Sequence, residues 1–222
     1  MDDKKIKMIV LEGFDRTGKD TLMNMIEEDD ELSKQFVCYH QPPIENEHVD
    51  YKNPEAFKEF MLKHTRELLN DLYSLAKTNR NKTIVVSRMW LTDDVFSNLY
   101  NREHVFRKYF LKELLTNFHV YNYILLFKSY DEYVKRCEMI GEDPTFTQEE
   151  FDKIIHLFST FGYANNLEKN NYDMRIELKA TDTKEELLED FRSHFFEFDS
   201  NTEWIIDKKQ YKSTLSGTGY WK

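Results

Sequence analysis

The 222-residue sequence contains only two cysteines, which leaves little material for disulfides or for a metal-binding motif. Cys38 and Cys137 lie far apart in the chain, and their spacing matches no common zinc motif. Isolated cysteines of this kind are typical of proteins in a reducing compartment. We therefore predict that both side chains are free thiols.

An excess of positive charge is also missing. The chain has 31 lysines and arginines against 41 aspartates and glutamates, which gives a formal net charge of −10 at pH 7. Proteins that hold DNA by its phosphates usually carry an excess of positive charge. The balance therefore argues against nucleic acid as a partner, whereas a small anionic substrate needs only a few well-placed cations.

Long apolar runs are missing as well. No segment approaches the roughly 18 consecutive apolar residues that a membrane-spanning helix requires. The opening segment, MDDKK, lacks the apolar core of a signal peptide. We therefore expect a cytoplasmic protein with no membrane partner.

What the sequence has instead is a series of short apolar runs that alternate with helical patterns. The runs predict strands over residues 7–12, 36–39, 83–86, 121–127 and, more weakly, 174–178. Apolar residues at spacings of three and four predict helices between them, most clearly over 54–77, and Thr183 is the predicted cap of a last helix that runs through Phe196. This alternation indicates an α/β fold with a parallel sheet of about five strands, flanked by helices on both faces.

The carboxyl ends of the predicted strands indicate where the chemistry lies. Right-handed crossovers place the carboxyl ends of parallel strands along one edge of the sheet. Gly13, Tyr39, Ser87 and Phe127 are at or next to those ends in the first four strands. We predict that the functional site lies at this edge.

A glycine-rich loop follows the first strand and precedes the first helix. Gly13, Gly18 and Lys19 match the spacing of a phosphate-binding loop. Such a loop needs residues without side chains where backbone N–H groups converge on phosphate oxygens, and the helix behind it points its positive end at the same anion. The lysine supplies a mobile cation for the β- and γ-phosphates of a nucleotide. The sequence therefore predicts an ATP-binding site.

The position after the lysine departs from the usual pattern. A hydroxyl group that contacts Mg²⁺ is common there, but this chain has Asp20 at that position and Thr21 one residue later. A carboxylate can hold Mg²⁺ directly or through water. We predict Mg²⁺ as the cofactor with Asp20 or Thr21 as its ligand, while the alternative is that Asp20 is a first-turn residue that the helix dipole favours.

Four segments carry a shared pattern: EGFDRTGK at 12–19, FMLKHTR at 60–66, Ser87-Arg88, and 131–136 followed by 148–158. Together they resemble the thymidylate kinases and their nucleoside monophosphate kinase relatives. In one version of that family the loop carries an Asp-Arg pair, and a helix similar to 60–66 carries a base-reading arginine. The family has Asp-Arg where this chain has Ser87-Arg88, and the last two segments resemble those around its lid. The resemblance implies a three-layer P-loop NTPase fold with a small lid.

The resemblance also implies roles for individual residues. Asp15 would accept a hydrogen bond from the acceptor's sugar, and Arg66 would read a pyrimidine carbonyl. Arg16, Lys19 and Arg88 would be the catalytic residues, with Arg88 on the acceptor phosphate. The ATP-binding set is Gly13, Asp15, Arg16, Thr17, Gly18, Lys19, Asp20, Thr21 and Arg136. The acceptor-binding set is Asp15, Leu62, Arg66, Arg88 and Thr92.

The charge of the presumed lid supports the role of Arg16. Phosphoryl transfer needs positive charge on the equatorial oxygens of the moving group, and in relatives without the loop arginine a basic lid provides it. Here the segment 138–144, EMIGEDP, is acidic, and Arg136 stands at its base. Arg16 can then supply the charge from the phosphate loop itself.

Departures from the family pattern fall mainly on the acceptor side. Ser87 replaces an acidic residue, Leu62 replaces an aromatic ring that would stack on the base, and HQP at 40–42 stands in place of Arg-Glu-Pro. The resemblance as a whole implies an ATP-dependent kinase of a deoxynucleoside monophosphate, such as dTMP or a related pyrimidine nucleotide. The alternatives are a kinase of a deoxynucleoside or of a modified base in DNA, and a nucleotide-binding relative without catalysis.

The domain organisation follows from the same comparison of segments. We assign residues 1–198 to one P-loop kinase domain with a lid at about 137–148, and residues 199–222 to a C-terminal tail. By analogy with similar kinases, a homodimer is the expected assembly.

Overall fold

A computed structural model describes residues 6–42, 53–165, 171–179 and 181–195, and in these ranges every side chain except those of 161–176. The predicted tail at 199–222 lies outside the described residues. Within the ranges described, every helix is too short or too polar to span a bilayer.

The centre of the fold is a five-stranded sheet in which every pair of neighbouring strands is parallel. Its strands are β1 (Ile6–Gly13), β2 (Phe36–Tyr39), β3 (Thr83–Ser87), β4 (Phe118–Phe127) and β5 (Asn171–Leu178). They are arranged in the order β2-β3-β1-β4-β5, so that the strand leading to the glycine-rich loop is central. The predicted parallel sheet is confirmed.

Helices connect and flank the strands. They are α1 (Lys19–Glu28), α2 (Leu32–Gln35), α3 (Pro54–Thr78), α4 (Trp90–Leu99), α5 (Val105–Tyr109), α6 (Leu111–Asn117), α7 (Tyr130–Ile140), α8 (Gln148–Asn165) and α9 (Lys184–Phe195). Helix α1 packs against α9, and α4 packs against α5 and α8. The predicted cap of the last helix is confirmed, because the Thr183 hydroxyl accepts a hydrogen bond from the Glu186 N–H while the Glu186 carboxylate accepts from the Thr183 N–H.

Several element boundaries differ from the sequence-based prediction. Strand β5 starts at Asn171 and not at Met174, because its first three residues already pair with β4. Strand β4 starts at Phe118 and not at Tyr121, because its first three residues already pair with the start of β1. The stretch between β3 and β4 is divided into three helices, α4, α5 and α6. The division is stabilised by Asp93, whose carboxylate on α4 accepts a hydrogen bond from the backbone N–H of Phe106 on α5.

The segment predicted as a lid is partly helical. Helix α7 continues through Ile140 and ends at Gly141, whose φ of 73° allows the left-handed conformation of a helix C-cap. Residues 141–147 then connect α7 to α8. Thr147 caps α8, since its hydroxyl accepts a hydrogen bond from the Glu150 N–H. The connection between the two helices is therefore short and fixed at both ends.

The edge at which the strands end is arranged as expected. Gly13, Tyr39, Ser87 and Phe127 are the last residues of β1 to β4, and the strands run parallel. Their carboxyl ends therefore meet at one edge of the sheet, and the glycine-rich loop leaves from the central strand.

Candidate active site

Backbone geometry makes the loop between β1 and α1 suitable for an anion. Gly13 has a φ of 118°, and a Cβ atom there would lie 2.0 Å from the Leu125 carbonyl oxygen of β4. Arg16 and Gly18 also have positive φ values, of 64° and 83°. The N-cap residue of α1 is Gly18, which has no side chain to accept hydrogen bonds from the backbone N–H groups of the first turn. Left-handed residues in a turn before an uncapped helix are typical of backbone anion sites.

The Lys19 side chain is buried, and its ammonium group forms hydrogen bonds within the glycine-rich loop. Its ammonium group donates to the carbonyl oxygens of Gly13 (3.2 Å) and Phe14, and to the Thr17 hydroxyl (3.2 Å). Burial lowers its pKa to about 8, and the nearby positive charge of Arg88 acts in the same direction. The group is therefore a cation held in a place where a negatively charged ligand would stabilise it.

Arg88 lies on the neighbouring strand end and pairs with Asp20. Its backbone, at a φ of 54°, donates to the Leu11 carbonyl (3.0 Å), and its guanidinium contacts both Asp20 oxygens at 3.2 and 3.3 Å. The Ser87 hydroxyl also donates to Asp20 (3.3 Å). The Gln41 amide holds the same turn by donating to the carbonyls of Ser87 and Arg88. Because the side chains of Arg88 and Asp20 are 41% and 61% exposed, the ion pair between them is weak.

Arg16 points toward the connection between α7 and α8. Its Nε donates to Glu142 at 2.7 Å, and its Nη1 donates to the Tyr133 hydroxyl at 2.9 Å. The same hydroxyl accepts the backbone N–H of Thr145 at 2.8 Å. The acidic lid segment therefore holds the arginine of the phosphate loop, and the Arg16 side chain is only 19% exposed.

An aromatic cluster anchors the loop beneath this arginine. The ring centroid of Phe14 lies 4.9 Å from that of Tyr133, 5.0 Å from Phe151, 5.3 Å from Phe146 and 6.1 Å from Phe127. Phe146 belongs to the connection between α7 and α8, and Phe151 lies on α8. Edge-to-face contacts of this kind stabilise beyond the area that they bury. The cluster therefore ties the loop to the lid connection.

Glu12, the residue before Gly13, is fully buried and linked to the start of α4. Its carboxylate accepts hydrogen bonds from the backbone N–H groups of Met89 (3.2 Å), Leu91 (3.1 Å) and Thr92 (3.1 Å), and from the Thr92 hydroxyl. Burial raises the pKa of Glu12 to about 7, although these hydrogen bonds lower it. The carboxylate thus caps α4 from a different element.

The residues predicted to bind the acceptor nucleotide do not all lie at the glycine-rich loop. Arg88 is at the site, whereas the guanidinium of Arg66 contacts both carboxylate oxygens of Glu113 at 2.9 Å and lies 4.9 Å from the centroid of the Phe110 ring. Leu62 is half-buried against the core. The Thr92 hydroxyl is engaged by the Glu12 carboxylate.

The remaining candidates lie on the loop and on the helices beside it. Asp15 is half-buried in the loop, and its charge acts on the ammonium of Lys19 and on the phenol of Tyr100. Thr21 is exposed in the first turn of α1, and Arg136 is half-buried on α7. Asp15 therefore lies in the loop and Thr21 in the helix that follows it, whereas Arg136 lies on the helix before the lid connection.

Asp20 fits the requirements of Mg²⁺ in part. Within the described ranges, no three Asp, Glu, His or Cys side chains form a group that could hold a metal ion. Mg²⁺ is usually held by one or two carboxylates together with water and substrate phosphates, and it does not need such a group. Asp20 offers one exposed carboxylate beside the amino end of α1, so the residues present are compatible with a metal that arrives with a nucleotide.

Sequence reasoning does not find several of the residues that shape this site. Tyr133 and Glu142 contact Arg16 from more than 110 positions away, and no local pattern marks them. Glu12 does carry a signal, because it is a charged residue at the end of an apolar strand that the structure buries completely. A buried charge requires partners, and this requirement could have directed attention to it.

Comparisons with known proteins bear on the fold. No protein-family model and no curated protein matches this sequence. A thymidylate kinase from Candida albicans with broad substrate specificity has a similar structure, with a TM-score of 0.56 at 14% identity over 85% of this chain and 90% of that one. A deoxyadenosine kinase from M. mycoides with bound dATP gives a TM-score of 0.52 at 16% identity over 84% and 97% of the two chains. The chain therefore has the α/β P-loop fold of nucleoside and nucleotide kinases.

Proposed function

We propose that this chain transfers the γ-phosphoryl group of ATP to a deoxynucleoside monophosphate, such as dTMP or a related pyrimidine nucleotide. The observation that carries the proposal is the meeting of three cations, Lys19, Arg16 and Arg88, around one glycine-rich loop at the carboxyl edge of the sheet. Arg16 and Arg88 each pair with a carboxylate that is more than half exposed, Glu142 at 54% and Asp20 at 61%, so a phosphate group can replace these partners.

The loop would bind the phosphates of ATP. Backbone N–H groups between Gly13 and Lys19 would donate to phosphate oxygens, and Lys19 would exchange the carbonyls of its own loop for the β- and γ-phosphates. The depressed pKa of Lys19 supports this exchange, since a polyphosphate stabilises the charged ammonium better than uncharged carbonyls do.

Arg16 would stabilise the group in transfer. Arg16 forms an ion pair with Glu142, whose side chain is 54% exposed to solvent. Separating the two side chains therefore costs about 1 kcal/mol or less. Once released, the guanidinium can lie along the equatorial oxygens of the phosphoryl group. Positioning and neutralisation of charge would supply the catalysis, with no covalent intermediate.

Arg88 and Asp20 would separate when the substrates bind. The acceptor phosphate offers Arg88 a stronger partner, and Asp20, with Thr21 beside it, would then hold Mg²⁺. The metal, when bound, neutralises charge on the phosphates. The pairing of these two residues would therefore neutralise an anion site and a cation site against each other until both charges arrive.

The acceptor's sugar and base would contact the remaining residues. Asp15 would accept from the sugar hydroxyl, and Leu62 and Thr92 stay candidates for the acceptor pocket. The base-reading role of Arg66 requires its guanidinium to exchange Glu113 for a base carbonyl. The exchange costs little free energy, because the ion pair between Arg66 and Glu113 is partly exposed to solvent. The predicted homodimer and cytoplasmic location stay predictions.

The test is a turnover assay of the full chain with ATP, Mg²⁺ and each deoxynucleoside monophosphate, with release of ADP as the readout. Arg16→Ala should lower turnover by about 10³-fold, as for an arginine finger. The matched control is Arg80→Ala, which removes an exposed arginine in the turn between α3 and β3 and should leave turnover unchanged. No ADP release with any monophosphate would contradict the proposal, and an Arg16→Ala effect below tenfold would contradict the role of Arg16.

A deoxynucleoside acceptor is the second candidate, because the fold is also that of a deoxyadenosine kinase. Adding deoxynucleosides and an oligonucleotide to the acceptor panel separates these functions. ATP binding without ADP release toward any acceptor would instead indicate a nucleotide-binding protein without catalysis.

A further inference from the structure

The buried carboxylate of Glu12 has no part in the proposed chemistry, yet it makes four hydrogen bonds to one short segment. Three donors are backbone N–H groups of residues 89–92, and the fourth is the Thr92 hydroxyl. A charged group at 0% exposure is costly unless its hydrogen bonds are satisfied. Here the donors come from the amino end of α4, where the helix dipole also favours a negative charge.

The segment that Glu12 holds begins directly after Arg88. The backbone of Arg88 adopts a left-handed conformation at a φ of 54°, which is uncommon for a residue with a side chain. Its N–H donates to the carbonyl of Leu11, the residue before Glu12. Two consecutive residues of β1 therefore fix the turn on both sides of Arg88, one through a carbonyl and the other through a carboxylate.

Glu12 is also attached to the phosphate loop. The next residue is Gly13, whose backbone leaves no room for a Cβ atom against β4, so the start of the loop cannot shift freely relative to Glu12. The loop that would bind the donor and the turn that would bind the acceptor phosphate are thus joined through one buried side chain. In-line phosphoryl transfer depends on the distance between these two sites.

We infer that Glu12 is a positioning residue that sets the place of Arg88, and with it the acceptor phosphate, relative to the ATP-binding loop. This role rests on the proposed function. It differs from simple helix capping, because a cap affects only stability, whereas a positioning residue affects the use of one substrate and not the other.

The test compares Glu12→Gln with the wild-type chain and with a matched control. The glutamine has the same shape, but its NH₂ group faces donors and breaks part of the network. The control is Asp93→Asn, since Asp93 lies on the same helix and also accepts a backbone N–H, from Phe106 at 3.0 Å, but anchors α5. Acceptor KM, kcat and the Kd of ATP are measured at pH 8 with dTMP, or with whichever monophosphate the wild-type chain uses best.

For Glu12→Gln we expect kcat/KM for the acceptor to fall at least about tenfold, with the Kd of ATP within about twofold of wild type. Asp93→Asn should lower stability and leave both values unchanged. Unchanged acceptor kinetics in a folded Glu12→Gln chain would overturn the inference, as would an equal effect in Asp93→Asn. If Glu12→Gln does not fold, Glu12→Asp keeps the charge but withdraws the carboxylate from part of its four donors, and it should show the same pattern more weakly. Loss of folding in both variants would assign Glu12 to stability alone and overturn the inference.

These outcomes are distinguishable from failure of the proposed function. A wild-type chain that neither binds nor phosphorylates any monophosphate contradicts the proposed function, and the role of Glu12 with it. An active wild-type chain with a kinetically normal Glu12→Gln variant contradicts the inference alone.

Discussion

Replacing Gly13 by alanine should destabilise the chain far more than the same change at Gly18 or Gly141. A Cβ atom at Gly13 would lie 2.0 Å from the Leu125 carbonyl oxygen and 2.8 Å from the Leu125 carbonyl carbon, in the middle of the buried sheet. The same carbonyl accepts the N–H of Phe14 at 2.9 Å, so relieving the clash also breaks a hydrogen bond. We expect a loss of more than about 4 kcal/mol in the free energy of unfolding, a size that only a few mechanisms produce.

Gly141 and Gly18 provide controls of graded severity. A Cβ atom at Gly141 meets nothing within 4 Å, so Gly141→Ala should cost only the left-handed backbone conformation at a φ of 73°, about 1–2 kcal/mol. At Gly18 a Cβ atom would be 3.4 Å from the Leu187 side chain, and Gly18→Ala should cost the same or slightly more. Urea unfolding of the three variants at an unchanged m-value measures the series. A Gly13→Ala loss within 1 kcal/mol of the Gly141→Ala loss would refute the reasoning.

Three further predictions concern the charges of the site. Lys19→Met removes a buried ammonium group, and burial has lowered the pKa of that group to about 8. In thermal unfolding without nucleotide, the variant's free energy of unfolding should therefore exceed that of the wild type by about 1–3 kcal/mol, and Mg-ATP should not stabilise it. A destabilised variant that still binds ATP would contradict this. Glu142→Gln frees Arg16 from an exposed competitor and should tighten ATP binding about two- to fivefold in calorimetry, while weaker binding would show that Glu142 orients Arg16 productively. Because the pKa of Glu12 is about 7 when folded and near 4.5 when unfolded, the folded chain binds more protons between these values, and its stability should fall by up to about 3 kcal/mol as pH rises from 4.5 to 7. That slope should be absent in Glu12→Gln.

The layout of the fold could be predicted from the sequence because its signals are local. The residues of β2 are buried and half-buried in alternation, the strand ends shortly before a proline pair, and it has the predicted bounds. The long helix α3 begins at Pro54, with the Asn53 side chain accepting from two backbone N–H groups, and follows its apolar spacing to Thr78. The glycine-rich loop could be predicted for the same reason, because its strand, its two glycines and its helix follow one another within a short stretch of sequence.

The arrangement of the site could not be predicted, because it depends on contacts between distant segments. The direction of the Arg16 side chain is set by Tyr133 and Glu142, and these positions are brought near it by the packing of Phe14 into the aromatic cluster. The start of β4 is set by its pairing with β1, not by its own composition. Similarly, the division of the stretch after β3 depends on Asp93 and its contact with α5.

Titration of the full chain with Mg-ATP in a calorimeter, combined with thermal unfolding in the same buffer, tests the phosphate site most directly. One nucleotide should bind per chain, and saturation should raise the unfolding temperature in the wild type but not in Lys19→Met. Neither heat nor stabilisation at millimolar Mg-ATP would show that the loop after β1 does not hold a triphosphate, and would contradict the account of this protein as a phosphotransferase.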